Sequence, residues 1–461
     1  MTSPSAVTRA GGQDVSASTQ MLEQVAASVL SVAAGIAKGA EVRTDVDRTR
    51  SANVRFAKNE MTTSGEYDEV SVSVTVAFGR RQAWTSTNQT DPASLKAMVE
   101  RAVAMARLAP EDPETMPILG PQMYAQAPPA HDPKLDGMAP TDRAAVATRA
   151  IAAGDREKVQ IAGFFYRNAY ERVLRASTGL EAGHRESEAQ YTVTARTPDG
   201  TGSGWAGRET HRANDLDDAL LARTAIEKAV RSAKPQVIPS GKYTVILEPQ
   251  AVAEMMAFLV GQMDLRSADE GRSYFTGKAG EKLFADFVSL DSDPNDPETP
   301  SATYDGEGVP LQRQRWIAKG QVKDLHVSRY WGTKKGVTPT GRHHVYRLSG
   351  EGPRAQAASV DELVRGTKRG LLVTRFWYNR MLEPQSVMIT GLTRDGLYLI
   401  EDGKITAPVT NFRYNESPVN VLKNVDAMTR ATERTPSFAG SWYVPALRTH
   451  EFTMASPSAA V

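Results

Sequence analysis

Between residues 69 and 78 four valines, Val70, Val72, Val74 and Val76, alternate with Ser71, Ser73 and Thr75. A period of two over that length fits a strand with one dry and one wet face, and it excludes a surface helix, whose apolar residues recur every three to four positions. Shorter runs at 41–47 and 53–58 read as neighbouring strands. Met21, Val25, Val29, Val32, Ala33 and Ile36 recur at helical spacing and predict an amphipathic helix over 19–37. Asp91 followed by Pro92 caps and opens another helix that runs to 108. A proline-rich stretch, 109–140, predicts an extended surface connection. Beyond it the order repeats: a helix at 141–157, strands at 159–167, 170–177 and 186–197, a glycine turn leading to Trp205, and a helix over 215–233. The expected fold class is therefore α+β with two domains. Residues 1–18 are expected to be a disordered arm, 19–235 a domain of two related β-rich units with packed helices, and 236–461 a mainly antiparallel β domain.

The second domain opens on a β-branched strand from Tyr243 to Leu247, a Glu248-Pro249 turn, and a helix to Met263. Ala251, Val252, Met255, Met256, Leu259, Val260 and Met263 cover most of that helix, which predicts burial, and Glu254 is its only charge. A lone carboxylate there must be paired, hydrogen-bonded or protonated, or else lie on a stripe facing water. Further on, 332–341 reads as a flexible basic loop. Paired strands follow, with Asp395-Gly396 and Asp402-Gly403 placed in hairpin turns.

Composition narrows the chemistry. The 461 residues hold 55 basic and 54 acidic side chains, a net charge of +1, which makes no case for nucleic acid or an anionic membrane as partner. Cysteine is absent, so disulfides, thiolate metal ligands and cysteine nucleophiles are excluded together. No early apolar run reads as a signal or span, and a cytoplasmic location is the expectation. Gly202, Gly204 and Gly207 satisfy GxGxxG, but polar residues separate them from the next helix, so a loop is expected in place of a dinucleotide site. Asp291, Asp293 and Asn295 begin a calcium-loop pattern that Asp296 and Ala302 break, leaving a solvated acidic loop. His131, His184, His211, His326, His343, His344 and His450 show no zinc-site spacing, and GxSxG does not occur.

Several ordered motifs agree on one resemblance. The 243–263 segment, Glu270-Gly-Arg-Ser273, Asp305-Gly-Glu-Gly308-Val309, Phe376-Trp-Tyr378, the run from Gly391 through Arg394-Asp395-Gly396 to Lys404, and Arg413-Tyr-Asn-Glu-Ser417 together resemble the TldD/PmbA family, once called modulators of DNA gyrase. Within it the chain is similar to the PmbA (TldE) branch. TldD-type subunits carry HExxxH on the helix after the first strand of the second domain and a cysteine near the C-terminus, which together bind a catalytic metal. Here the two histidine positions are Ala253 and Phe258, the glutamate is Glu254, and 436–440, where the cysteine falls, contains none.

The resemblance implies a subunit that binds no cofactor itself and pairs with a zinc-carrying TldD-type metallopeptidase subunit. Such a complex cleaves small or unfolded peptides and matures peptide natural products. Activity is expected only with that partner, with Glu254 as a remnant of the motif. Arg375, Trp377, Tyr378, Arg394, Asp395, Arg413, Asn415 and Glu416 are candidates for lining the shared peptide chamber. The alternative is a stand-alone peptide-binding or scaffold homodimer without catalysis.

Overall fold

The computed structural model describes residues 17–430, 433–435, 437 and 440–458. The expected arm lies outside them, except that Ala17 and Ser18 already belong to the first helix, α1 (Ala17–Ile36). One antiparallel sheet of six strands organises the N-terminal domain: β1 (Glu41–Ala57), β2 (Glu60–Phe78), β3 (Arg81–Thr87), β4 (Gln160–Ala176), β5 (Glu181–Arg196) and β6 (Ser203–Thr210), ordered β3-β2-β1-β4-β5-β6. Its two halves join along β1 and β4, from the Arg43–Ala176 pair to the Phe56–Gly163 pair. Helices α1 and α2 (Pro92–Leu108) cover the first half, burying Leu22, Val29, Met98 and Val99 on Val46, Val72, Val74 and Val76. The second half is covered by α4 (Pro140–Arg156) and α5 (Asp218–Arg231), over Ile161, Phe165, Tyr191 and Val193, with the one-turn α3 (Pro133–Asp136) at its margin.

Where the sequence predicts two strands at 41–47 and 53–58 and two more at 159–167 and 170–177, the chain makes single long ones, β1 and β4. The polar interruptions did not break them, because paired neighbours satisfy the backbone on both sides and the charges find partners: Arg50 reaches Asp136 of α3 at 2.6 Å and Glu171 of β4 at 3.1 Å. The glycine motif serves packing. A Cβ on Gly204 would lie 2.1 Å from the Ala225 carbonyl oxygen of α5, and one on Gly207 would lie 2.4 Å from the Trp205 ring. Gly204 lets the helix approach the strand, and Gly207 lets the indole lie flat on the opposite, polar face.

The C-terminal domain begins with β7 (Gly241–Leu247) and α6 (Pro249–Gln262), followed by α7 (Leu265–Asp269). Next come β8 (Val288–Ser292), β9 (Gln314–Ala318), β10 (Gln321–Val322), α8 (Arg329–Lys335), β11 (Val345–Gly350) and α9 (Val360–Arg365). The chain continues through β12 (Arg369–Glu383), β13 (Met388–Glu401), β14 (Lys404–Pro408), β15 (Phe412–Glu416), α10 (Pro418–Lys423), β16 (Val425–Met428), β17 (Glu433–Thr435), β18 (Ser441–Val444) and β19 (Leu447–Pro457). Strands β12, β7, β19, β15 and β13 pair in that order, and β13 pairs back onto β12, closing a ring. A second sheet runs β10-β9-β8-β11-β18-β17. Helix α6 packs against both sheets and is buried nearly all round, as its composition requires. The basic stretch expected to be a flexible loop is partly α8: Ser328 caps its start, Gly336 ends it at φ 68°, and buried Trp331 holds it in place. Among the described residues no helix is long and apolar enough to cross a membrane.

Candidate functional site

Glu254 does not lie on a wet stripe. It is 8 % exposed, and its carboxylate accepts hydrogen bonds from the Phe376 backbone N–H at 2.6 Å and from Gln250 Nε2 at 3.0 Å, with Arg375 Nη2 at 3.7 Å. Burial raises its pKa above the ordinary 4.5, while Arg375 and the two donors oppose the shift. On either side of Glu254 on the motif, Ala253 is fully buried and Phe258 packs against the core. Neither offers a donor atom to a metal. Among the described residues no three His, Asp or Glu side chains gather as a metal-binding group. Of the cysteine-equivalent stretch 436–440, Pro436, Phe438 and Ala439 lie outside the described residues.

The strand facing α6 carries the rest. Asp395-Gly396 is not a hairpin turn: it lies inside β13, with Asp395 at φ 56° and Gly396 at φ 125°, opposite a register shift in β12 between Val373 and Arg375. The left-handed pair makes a bulge, and Thr374 Oγ1 sits within 3.0–3.2 Å of the carbonyl oxygens of Arg394, Asp395 and Gly396. This bulge turns the Asp395 carboxylate inward, 3 % exposed, to accept a 2.5 Å hydrogen bond from Ser203 of β6. Arg375 lies between Glu254 and Asp395, 3.6 Å from the latter, and its guanidinium carbon lies over the Trp205 ring at 4.6 Å and the Trp377 ring at 5.2 Å. Arg394 approaches Asp395 at 3.9 Å and the Trp377 ring at 5.0 Å.

Four of the candidate lining residues thus meet Glu254 in one cluster: Arg375, Trp377, Arg394 and Asp395. The others sit elsewhere. Tyr378, at φ 58° and 65 % exposed, packs under Arg380. Arg413 is exposed on β15, and Asn415 keeps its Oδ1 buried without a hydrogen-bond partner. Glu416 is 3 % exposed and accepts from the Ser417 and Thr453 backbone N–H groups and from Asn420, an anchoring role for α10 and β19. Sequence reasoning about chemistry passed over Ser203 and Trp205. Both point from β6 to the polar face, a period-two signal visible after the glycine turn, but nothing local says that the second domain covers them. The acidic loop is also less solvated than expected: Arg315 reaches buried Asp291 at 3.3 Å and Arg347 reaches Asp296 at 2.6 Å.

A six-stranded sheet whose polar face meets a closed five-stranded ring, with a buried helix packed between that ring and a second sheet, defines an α+β protein. Profiles of the PmbA/TldA metallopeptidase match in chain order: domain 1 over residues 40–106, the central domain over 133–233 and the C-terminal domain over 240–456. The chain belongs to the PmbA/TldD family. It is 22 % identical over 441 residues to the metalloprotease PmbA of Escherichia coli O157:H7, covering 89 % of this chain and 92 % of that one. A metalloprotease of Methanothermobacter thermautotrophicus is 25 % identical over 261 residues, 53 % of this chain and 56 % of that protein, so the match spans little more than half its length. The crystal structure of TldE from Thermococcus kodakarensis has the same fold, with a TM-score of 0.83 at 18 % identity, covering 90 % of this chain and 97 % of that one.

Proposed function

We propose that this chain is the PmbA/TldE-like subunit of a heteromeric cytoplasmic peptidase: it binds no metal, and a TldD-type partner subunit supplies the zinc. Together they cleave small or unfolded peptides. One observation carries the reading. Of the helix motif only Glu254 remains, and its oxygens accept from the Phe376 N–H and Gln250 and face Arg375 at 3.7 Å, so the donor set does not fit a metal ion. The edge strand β3, hydrogen-bonded on one side only to β2, supports the peptide part, because an extended chain adds to an exposed sheet edge through main-chain hydrogen bonds with little demand on sequence.

The test is co-expression with a TldD-type subunit, followed by mass determination in solution, zinc content and cleavage of an unstructured peptide, with each subunit alone as control. A complex with zinc and activity only when both are present is expected. Zinc and peptidase activity in this chain alone would overturn the proposal, and a peptide-binding homodimer that ignores the partner establishes the scaffold alternative.

A further inference from the structure

Strand β3 leaves part of its neighbour uncovered. It pairs with β2 only from the Phe78–Arg81 pair to the Val72–Thr87 pair, and the chain then leaves for α2, whereas β2 itself reaches back to Glu60. Over residues 60–71 β2 is hydrogen-bonded to β1 alone, in unbroken register from Thr63 onward. Among the described residues no other backbone pairs with that stretch, and every residue from Glu60 to Glu69 is exposed. An antiparallel strand turns the N–H and C=O of every second residue away from its partner, so the outer side of this stretch is a row of unused donors and acceptors. Of the devices that commonly shield such an edge, a proline and a lysine are absent, and the one register shift lies at the hairpin end, between Arg55 and Phe56 of β1. Acidic side chains alone guard it.

Those side chains select what can add there. Glu60, Glu66, Asp68 and Glu69 lie on the stretch, which holds no Lys or Arg. Two of them are already matched: Arg143 meets Glu66 at 2.7 Å and Arg48 meets Asp68 at 2.5 Å. Glu60 and Glu69 are joined to no basic side chain among the described residues. By the period of two, Glu69 shares a face with Tyr67, which is 54 % exposed. A Lys or Arg on an added strand opposite that row lies over the Tyr67 ring and beside the Glu69 carboxylate. A second copy of this chain is a poor occupant, because pairing two such edges sets one row of carboxylates against another.

We infer that the free edge of β2 over residues 60–71 takes an extended, cationic segment of a peptide substrate as an added strand in line with β3. Main-chain hydrogen bonds supply the pairing and leave most side chains of the segment unread, while Glu60, Tyr67 and Glu69 favour Lys or Arg. This deepens the reading of the chain as a component of a peptidase, on which it rests, by giving the bound segment a place on the first domain and a charge.

The test uses the full chain and three short labelled peptides: one alternating Lys with Thr, one alternating Glu with Thr, and the Lys peptide methylated on its backbone nitrogens. Equilibrium binding is read by fluorescence anisotropy. The Lys peptide is expected to bind about tenfold more tightly than the Glu peptide. Methylation removes the pairing donors and keeps the charge, and should weaken the Lys peptide about tenfold. Glu60→Lys combined with Glu69→Lys, both at exposed positions, should erase the preference between the Lys and Glu peptides. Equal binding of the methylated and unmethylated peptides overturns the inference, since charge attraction alone accounts for it. An unchanged preference in the double variant, or no binding of the Lys peptide, overturns it as well. Displacement of the Lys peptide on adding the TldD-type subunit assigns the edge to the subunit interface and also overturns it. Cleavage by the co-expressed complex tests the peptidase reading separately: a complex that cleaves Lys and Glu peptides alike, unchanged in the double variant, keeps that reading and refutes the inference.

Discussion

Replacing Glu254 by Gln separates a structural carboxylate from a general base. At 3.7 Å and an effective dielectric near 20, the attraction of Arg375 for Glu254 is about 4 kcal/mol. Burial raises the pKa of Glu254 against this attraction and the two donated hydrogen bonds, so the folded site favours the charged form less than water does. Gln keeps an oxygen for the Phe376 N–H, and the amide of Gln250 can turn over to meet the new NH2 group. Glu254→Gln should therefore change the unfolding free energy at pH 7 by no more than about 1 kcal/mol, in either direction. Glu254→Ala orphans the Phe376 N–H, leaves a cavity in the core and should cost about 3 kcal/mol. The pH dependence has a definite sign. With its folded pKa above 4.5, Glu254 contributes stability that is fully present below pH 4.5 and is lost as pH rises through the folded value, and Glu254→Gln removes that slope. Urea unfolding at several pH values measures each quantity. In the complex with the partner subunit, kcat/KM for peptide should stay within about threefold of the unmodified chain, whereas loss of a general base costs about 10²- to 10⁴-fold. A stably folded Glu254→Gln chain whose complex loses a hundredfold or more in activity would refute the structural role.

Three further outcomes follow from the geometry. Gly204→Ala forces a methyl group into the Ala225 carbonyl and should destabilise by about 1–3 kcal/mol or more, while Gly261→Ala, on α6 with nothing within 4 Å of the added Cβ, should stabilise by up to about 1 kcal/mol; thermal melts of the two variants check the contrast. Burial pushes His211 down to about 4, reinforced by Arg434 and Arg212, so stability is present above about pH 6.5 and is lost as pH falls toward 4; His211→Gln should flatten that limb of the unfolding curve. Arg434→Met leaves the Glu209 carboxylate at the domain junction with the Ser441 hydroxyl but without the cation it otherwise meets at 2.8 Å, and should cost about 3–5 kcal/mol by denaturant titration.

Strand and helix placement was largely legible because period-two and period-3.6 patterns are local, and the apolar side chains over most of α6 predicted its burial but left open whether Glu254 faced water. Strand length was not. Residues 48–52 carry Arg48, Arg50 and Ser51, which read as a loop, and they stay in β1 only because β2 and β4 flank it on both sides. Asp395-Gly396 shows the same limit: the dipeptide favours left-handed backbone in a turn or a bulge alike, and pairing with β12 decides which.

The candidate site divides along the same line. By itself the sequence determined that the helix after the first barrel strand keeps Glu254 between Ala253 and Phe258, side chains that cannot ligate a metal, since donor atoms are a property of residue type. Only the tertiary structure decided that Glu254 is tied to Phe376, that a bulge aims Asp395 at Ser203, and that Trp205 from the first domain covers Arg375 from the second. Those contacts join residues more than a hundred positions apart, and side-chain direction at a bulge and docking between domains are set by packing that no local pattern encodes.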